Sequence, residues 1–197
     1  MSRGGAHRRA ELLPDAFTTG KLSGELKVPD KSFWDLDGKE CFLRDFRDKV
    51  LVIVFWAPWS LDSVTSLQGL KGLDSYLVDK GLGNDVVFLS ISDTDASDLQ
   101  SLQQARSSYG FEAAMYIDNK HELFDYFNVK SVPTAFIVGK DNTVKYRISG
   151  YVRWDADPVK EELASIIAGS PQRSDDKHPV KHGNKPSGPG NKHTEGA

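Results

Sequence analysis

The chain has 197 residues, 28 of them acidic and 25 basic, for a formal charge of −3 and a pI near 5.9. An apolar fraction of 39% with 10% aromatics is that of a globular protein, and the length allows one domain with a sizeable core. The charge balance argues against nucleic acid as a partner, because such binders carry a basic face or stripe. No apolar run reaches the length of a membrane span, and the Arg-rich stretch 1–17 lacks the continuous apolar segment of a secretory signal. The expectation is a cytoplasmic protein if the chain is complete, and one outside the cytoplasm if a leader or anchor has been removed. Cys41 is the single cysteine, which excludes an internal disulfide and a multi-cysteine metal site; no metal or cofactor is expected.

Composition divides the chain into a polar extension over 1–27, a domain over 28–168 and a tail over 169–197. The tail is Pro, Gly, Lys, His, Asn and Ser with almost nothing to bury, so disorder is expected there. His178, His182 and His193 are irregularly spaced among lysines, which reads as a solvated tail and not as a metal site.

Within the domain, Phe33 to Lys39 followed by Cys41-Phe42-Leu43 predicts a hairpin turned at Asp37-Gly38. Val50 to Phe55 is an unbroken apolar run, the pattern of a central strand buried on both faces. A helix beginning after Ser60 follows from Val64, Leu67, Leu70, Leu73 and Leu77, and Lys80-Gly81-Leu82-Gly83 stops it. Val86 to Ile91 repeats the buried-strand pattern, and Ser97 to Tyr109 reads as a helix ended by Gly110. This β-α-β-α order predicts a largely parallel centre.

Further strands are predicted at Ala114 to Ile117, Thr134 to Val138 and Val144 to Ser149, with a short helix over Glu122 to Phe127. Asp157-Pro158 is expected to cap and open a closing helix with Val159, Leu163 and Ile166 on its inner face. The expected fold class is α/β, a central mixed sheet flanked by helices.

Two segments resemble the most specific pieces of the TlpA/ResA-like thioredoxins. Phe55-Trp56-Ala57-Pro58-Trp59 is similar to the run that precedes their Cys-x-x-Cys, and Ser131-Val132-Pro133-Thr134 to their cis-proline loop. Asp35-Leu36-Asp37-Gly38-Lys39, Tyr116-Ile117-Asp118, Phe127-Asn128-Val129 and Ile148-Ser149-Gly150 extend the match over nearly all of the domain. The resemblance implies a thioredoxin fold with an N-terminal β-hairpin and an inserted βαβ segment over Val86 to Ile117.

The departure from the family pattern is chemical. Where these proteins carry two cysteines, this chain has Ser60-Leu61-Asp62-Ser63. Dithiol exchange needs a thiolate nucleophile at a helix N-terminus and a second thiol to resolve the mixed disulfide, and serine supplies neither. A serine nucleophile would need an adjacent base, and no Ser-His pair is evident. Ser60 reads instead as a helix cap and Asp62 as a favourable first-turn charge. Relatives usually place a proline between the cysteines, and often a glutamate implicated in proton handling three residues after the second. Here those places hold Leu61-Asp62 and Ser66, which points to natural replacement and not to an engineered exchange. Cys41, without a resolving partner, reads as a buried structural residue.

What the resemblance leaves intact is a peptide groove, formed by Trp59, Val132 and Pro133, with Trp56 read as core. The expected function is a non-catalytic polypeptide-binding or scaffold module. The alternative is a thiol-disulfide oxidoreductase of the same family, serving redox homeostasis or cytochrome c maturation.

Overall fold

The computed structural model describes residues 20–22, 26–94, 99–109 and 114–169. The predicted hairpin is present as β1 (Ser32–Asp35) and β2 (Glu40–Phe42), with Phe33 opposite Cys41. Its turn is held by the Asp35 carboxylate, which accepts from the Asp37 and Lys39 backbone N–H groups at 3.0 and 2.8 Å. Gly38 sits at φ +82°, which a residue without a side chain adopts at no steric cost.

β3 (Val50–Trp56) leads to α1 (Leu61–Asp79), β4 (Val86–Ser92), α2 (Leu99–Tyr109) and β5 (Met115–Ile117). Residues 95–98 and 110–113, where the sequence places the start and the Gly110 stop of the second helix, lie outside the described residues. The short α3 (Glu122–Tyr126) precedes β6 (Thr134–Val138), β7 (Val144–Ser149) and α4 (Asp157–Gly169).

The strands form one seven-stranded sheet in the order β2-β1-β5-β4-β3-β6-β7. β3, β4 and β5 pair in parallel, and the outer pairings are antiparallel. Successive parallel crossovers in one direction place α1 and α2 on the same face, joined there by α4.

β3 explains the two cores. Its side chains alternate faces, so Val50, Val52, Val54 and Trp56 pack with Val64, Leu67, Leu70, Leu73 and Leu77 of α1. Leu51, Ile53 and Phe55 enter the opposite core, where the Phe55 ring lies 4.7 Å from Phe124 and 5.8 Å from Phe136, both edge to face. The helix stop is also as predicted: Lys80 caps α1 and Gly81 takes φ +74°.

The closing helix departs from its expected start. Asp157 is already helical, and Ala156 accepts from the Val159 and Lys160 N–H groups, so Asp157 caps nothing. It pairs with Lys160 one turn on, at 2.8 Å. The inner face is Val159, Leu163 and Ile167; Ile166 is half-buried at the margin of the core.

Among the described residues, the stretch that composition assigns to the polar extension already contacts β7, at Gly20, Leu22 and Leu26. Gly20, Leu22, Leu26 and Val28 exchange backbone hydrogen bonds of 2.8 to 3.1 Å with residues 142–147, covering the outer edge of β7. Leu22 and Val28 rest on the second core, although the composition around them is polar. Residues 1–19 and 170–197, which hold the rest of the extension and nearly all of the histidine-bearing tail, lie outside the described residues.

β7 also carries a pH-dependent contact. The Tyr146 hydroxyl donates to Glu162 Oε1 at 2.9 Å, and burial, reinforced by the glutamate, pushes its pKa up to about 12 from 10. The neutral phenol is the form that the fold favours. The stabilisation is therefore complete below pH 10 and lost as pH rises through about 12. Denaturant unfolding of the parent is expected to weaken across that window more steeply than that of Tyr146→Phe, which has no such proton to lose.

Candidate functional site

The end of β3 and the start of α1 form one structural corner. Trp56 is fully buried and Ala57 is buried, so the chain leaves the core only at Pro58. Trp59 follows with 81% of its surface exposed, and Leu61 with 78%. Aromatic and aliphatic side chains so exposed on either side of a helix cap are not explained by packing.

The serines between and after them are turned inward. Ser60 caps α1, its Oγ accepting from the Ser63 N–H at 3.2 Å, while its own N–H donates to Ala57 O at 3.1 Å. Such a cap contributes about 1 kcal/mol to the helix. Ser63 is fully buried, and its Oγ lies 3.5 Å from the Ala57 N–H as a long acceptor. Ser60 thus serves an orphan backbone donor of the helix start, and Ser63 a backbone donor of the chain just after β3. Asp62 is exposed in the first turn, where the helix dipole favours a negative charge.

At the start of β6, whose Thr134 pairs with Phe55 of β3, the Val132–Pro133 peptide bond is cis. Pro133 is buried, and its carbonyl accepts from the Gly150 N–H at 2.8 Å. Thr134 Oγ1 donates to Ser131 O at 2.7 Å, closing the loop below. Val132 is half-buried, and its backbone N–H and C=O take no hydrogen bond among the described residues. An unpaired extended backbone unit is what a strand-like partner can pair with.

Other ionisable groups act structurally. The Cys41 thiol donates weakly to Lys39 O at 3.6 Å, and burial, helped by Asp35, pushes its pKa up, which keeps it in the unreactive thiol form. Asp118 is buried and accepts from the Glu122, Leu123 and Phe124 N–H groups at 2.8 to 3.1 Å, capping α3. Burial raises its pKa against the lowering effect of those three donors.

Sequence reasoning did not find what Ser66 does. It is buried, donates to Val152 O at 3.1 Å and accepts from Trp154 Nε1 at 3.1 Å. The signal for this lies in a serine at an inward helical position, about one turn before the small Gly69 and about two before Gly72. Nothing in the sequence indicates the partner, which is 88 residues away.

A parallel β3-β4-β5 centre, a helix springing from β3 and a cis-proline loop opening an antiparallel β6-β7 pair define a thioredoxin-fold protein. A solved structure described as a thiol:disulfide interchange protein DsbE from Chlorobium tepidum superposes with a TM-score of 0.63 at 18% identity, over 74% of this chain and 99% of that one. The AhpC/TSA family model matches residues 25–147, and the chain belongs to that family. Among curated relatives, the thiol-disulfide oxidoreductase ResA of Bacillus thuringiensis subsp. konkukian is 26% identical over 141 residues, 72% of this chain and 75% of its own length. The thioredoxin-like protein YneN of Bacillus subtilis is 26% identical over 119 residues, 60% of this chain and 67% of its own. The resemblance to TlpA/ResA-like thioredoxins thus holds for both family and fold. Among the described residues no helix is long and apolar enough to cross a membrane.

Proposed function

We propose that this chain is a thioredoxin-like module that binds extended polypeptide without dithiol chemistry. The observation that carries the reading is the contrast at the start of α1. The side chains at 60 and 63 are hydroxyls engaged with nearby backbone N–H groups, those of Ser63 and Ala57, while Trp59 between β3 and α1 stands exposed. A thiolate nucleophile and a resolving thiol are both required for exchange, and the one thiol of the chain, Cys41, is buried in the β2 hairpin. Trp59 would form a wall of the groove, the Val132 backbone would pair with the partner, and Pro133 would hold that backbone in place through its bond to Gly150. The partner class is polypeptide, and the relatives' activity as oxidoreductases enters as the competing reading, opposed by residues 60 and 63.

Binding is measurable without a redox reaction, using fluorescently labelled insulin B chain with its thiols carboxymethylated. The parent is expected to bind it saturably, and Trp59→Ala to weaken that binding about tenfold, the cost of truncating an exposed aromatic anchor. Equal binding by both proteins would remove Trp59 from the groove. Absence of binding by the parent would overturn the reading altogether.

A further inference from the structure

The chain that covers the outer edge of β7 runs antiparallel to it, with Lys27 opposite Thr143 and Lys21 opposite Tyr146. Its backbone bonds step from Val28, which donates to Asn142 O, to Gly20, which accepts from the Arg147 N–H at 2.8 Å. The direction decides where the preceding residues lead. β7 ends at Ser149, opposite Thr134, and the next N–H, of Gly150, donates to Pro133 O at 2.8 Å. The chain before Gly20 therefore joins the domain at the end of the sheet that carries the Val132–Pro133 bond.

An extended chain advances about 3.3 Å per residue, and neighbouring strands lie about 4.8 Å apart. About three residues upstream of Gly20 thus reach the level of Gly150, and about three more cross the two strand spacings to β6. That count ends at Pro14, so the residues delivered to Val132 are Leu13 and Leu12, the only adjacent pair of large apolar side chains in 1–19. A proline favours extended backbone in the residue before it, here Leu13, and extended backbone is what strand-like pairing needs. The Val132 N–H and C=O take no hydrogen bond among the described residues. A tether this short gives a local concentration on the order of 1 mM, so a contact with a Kd of about 0.1 mM would be about nine-tenths occupied. Arriving from the β7 side, such a segment meets Val132 and leaves Trp59 exposed.

We propose that Leu12-Leu13 is an intramolecular occupant of the polypeptide groove, pairing with the Val132 backbone and competing for it with a foreign segment. The inference rests on the polypeptide-binding reading and adds regulation to it. A partner gains the Val132 side of the groove only by displacing the two leucines.

The test uses the full chain. Leu12→Ser/Leu13→Ser is expected to bind the carboxymethylated insulin B chain about tenfold more tightly than the parent, because the tethered competitor is gone. A loss of folding could not raise affinity. Leu12→Met/Leu13→Met, which keeps the apolar contact, should bind as the parent does. Proximity is read without any foreign peptide. Oxidised with diamide at low protein concentration, Leu13→Cys/Ser131→Cys should close a disulfide within one chain, and adding Leu12→Ser should slow that closure several-fold. Parent-like affinity in Leu12→Ser/Leu13→Ser, with binding still weakened by Trp59→Ala, would overturn this inference and leave the groove standing. A disulfide formed only between chains, or equally fast with Leu12→Ser, would overturn it as well. If the parent binds no peptide, both readings fall.

Discussion

Incubated with insulin and dithiothreitol, the purified protein is expected to leave the insulin disulfides reacting at the uncatalysed rate. The Ser60→Cys/Ser63→Cys variant is expected to accelerate that reaction. A hydroxyl at the start of α1 is not ionised near neutral pH, and even a transient covalent adduct could not be resolved without a second thiol. The corner itself keeps the spatial relation that exchange requires. Positions 60 and 63 lie within one turn at a helix N-terminus, close enough for the Ser60 side chain to reach the Ser63 N–H. A thiol introduced at position 60 would therefore gain from the helix dipole, against the repulsion of Asp62. Turnover by the parent, measured as insulin turbidity against a protein-free control, would sink the proposed non-catalytic role. A silent double variant would mean that the missing chemistry extends to the other replaced positions, Leu61, Asp62 and Ser66.

The second large effect is expected at Trp154 and concerns stability. Trp154 is fully buried in the core under α1 and α4, and its indole N–H is bonded to Ser66. Trp154→Ala should cost about 3–5 kcal/mol, the range for large aromatic truncations in a core. It should lower the denaturant midpoint with little change in slope. Trp59→Ala, from a tryptophan 81% exposed, should stay within about 0.5 kcal/mol of the parent. Ser66→Ala should cost about 1–3 kcal/mol by removing the buried hydrogen bonds from Ser66 to the Val152 carbonyl and from Trp154 Nε1 to Ser66. Its combination with Trp154→Phe should cost less than the sum, because each change removes the same bond. Strict additivity would show that the bond contributes nothing.

The two tryptophans of the Phe55 to Trp59 run show how far one sequence carries. Trp56 continues the apolar alternation of a central strand and is buried; Trp59 follows a proline, falls outside that alternation and is exposed. Both were legible because strand periodicity is a local property. The serine cap was legible for the same reason, since a capping residue and the N–H that donates to it lie three positions apart. At the closing helix local signals misled. An Asp-Pro pair reads as cap and first residue, but the helix starts at Asp157 itself, with Ala156 O accepting its first N–H bonds. At the other end of the domain, polar composition concealed that Leu22 packs half-buried on the second core and that Gly20, Leu22 and Leu26 cover the β7 edge.

For this protein the sequence by itself determined the strand and helix order, the absence of a thiol pair at the start of α1 and the capping role of Ser60. Each depends on residues within a few positions of one another. Only the tertiary structure decided that Ser66 ties α1 to Val152 and Trp154 in the stretch after β7, that Gly150 is bonded to Pro133, and that Gly20, Leu22 and Leu26 cover the edge of β7. These relations join residues far apart in the chain. They follow from how helices and strands settle against each other, which no local pattern encodes.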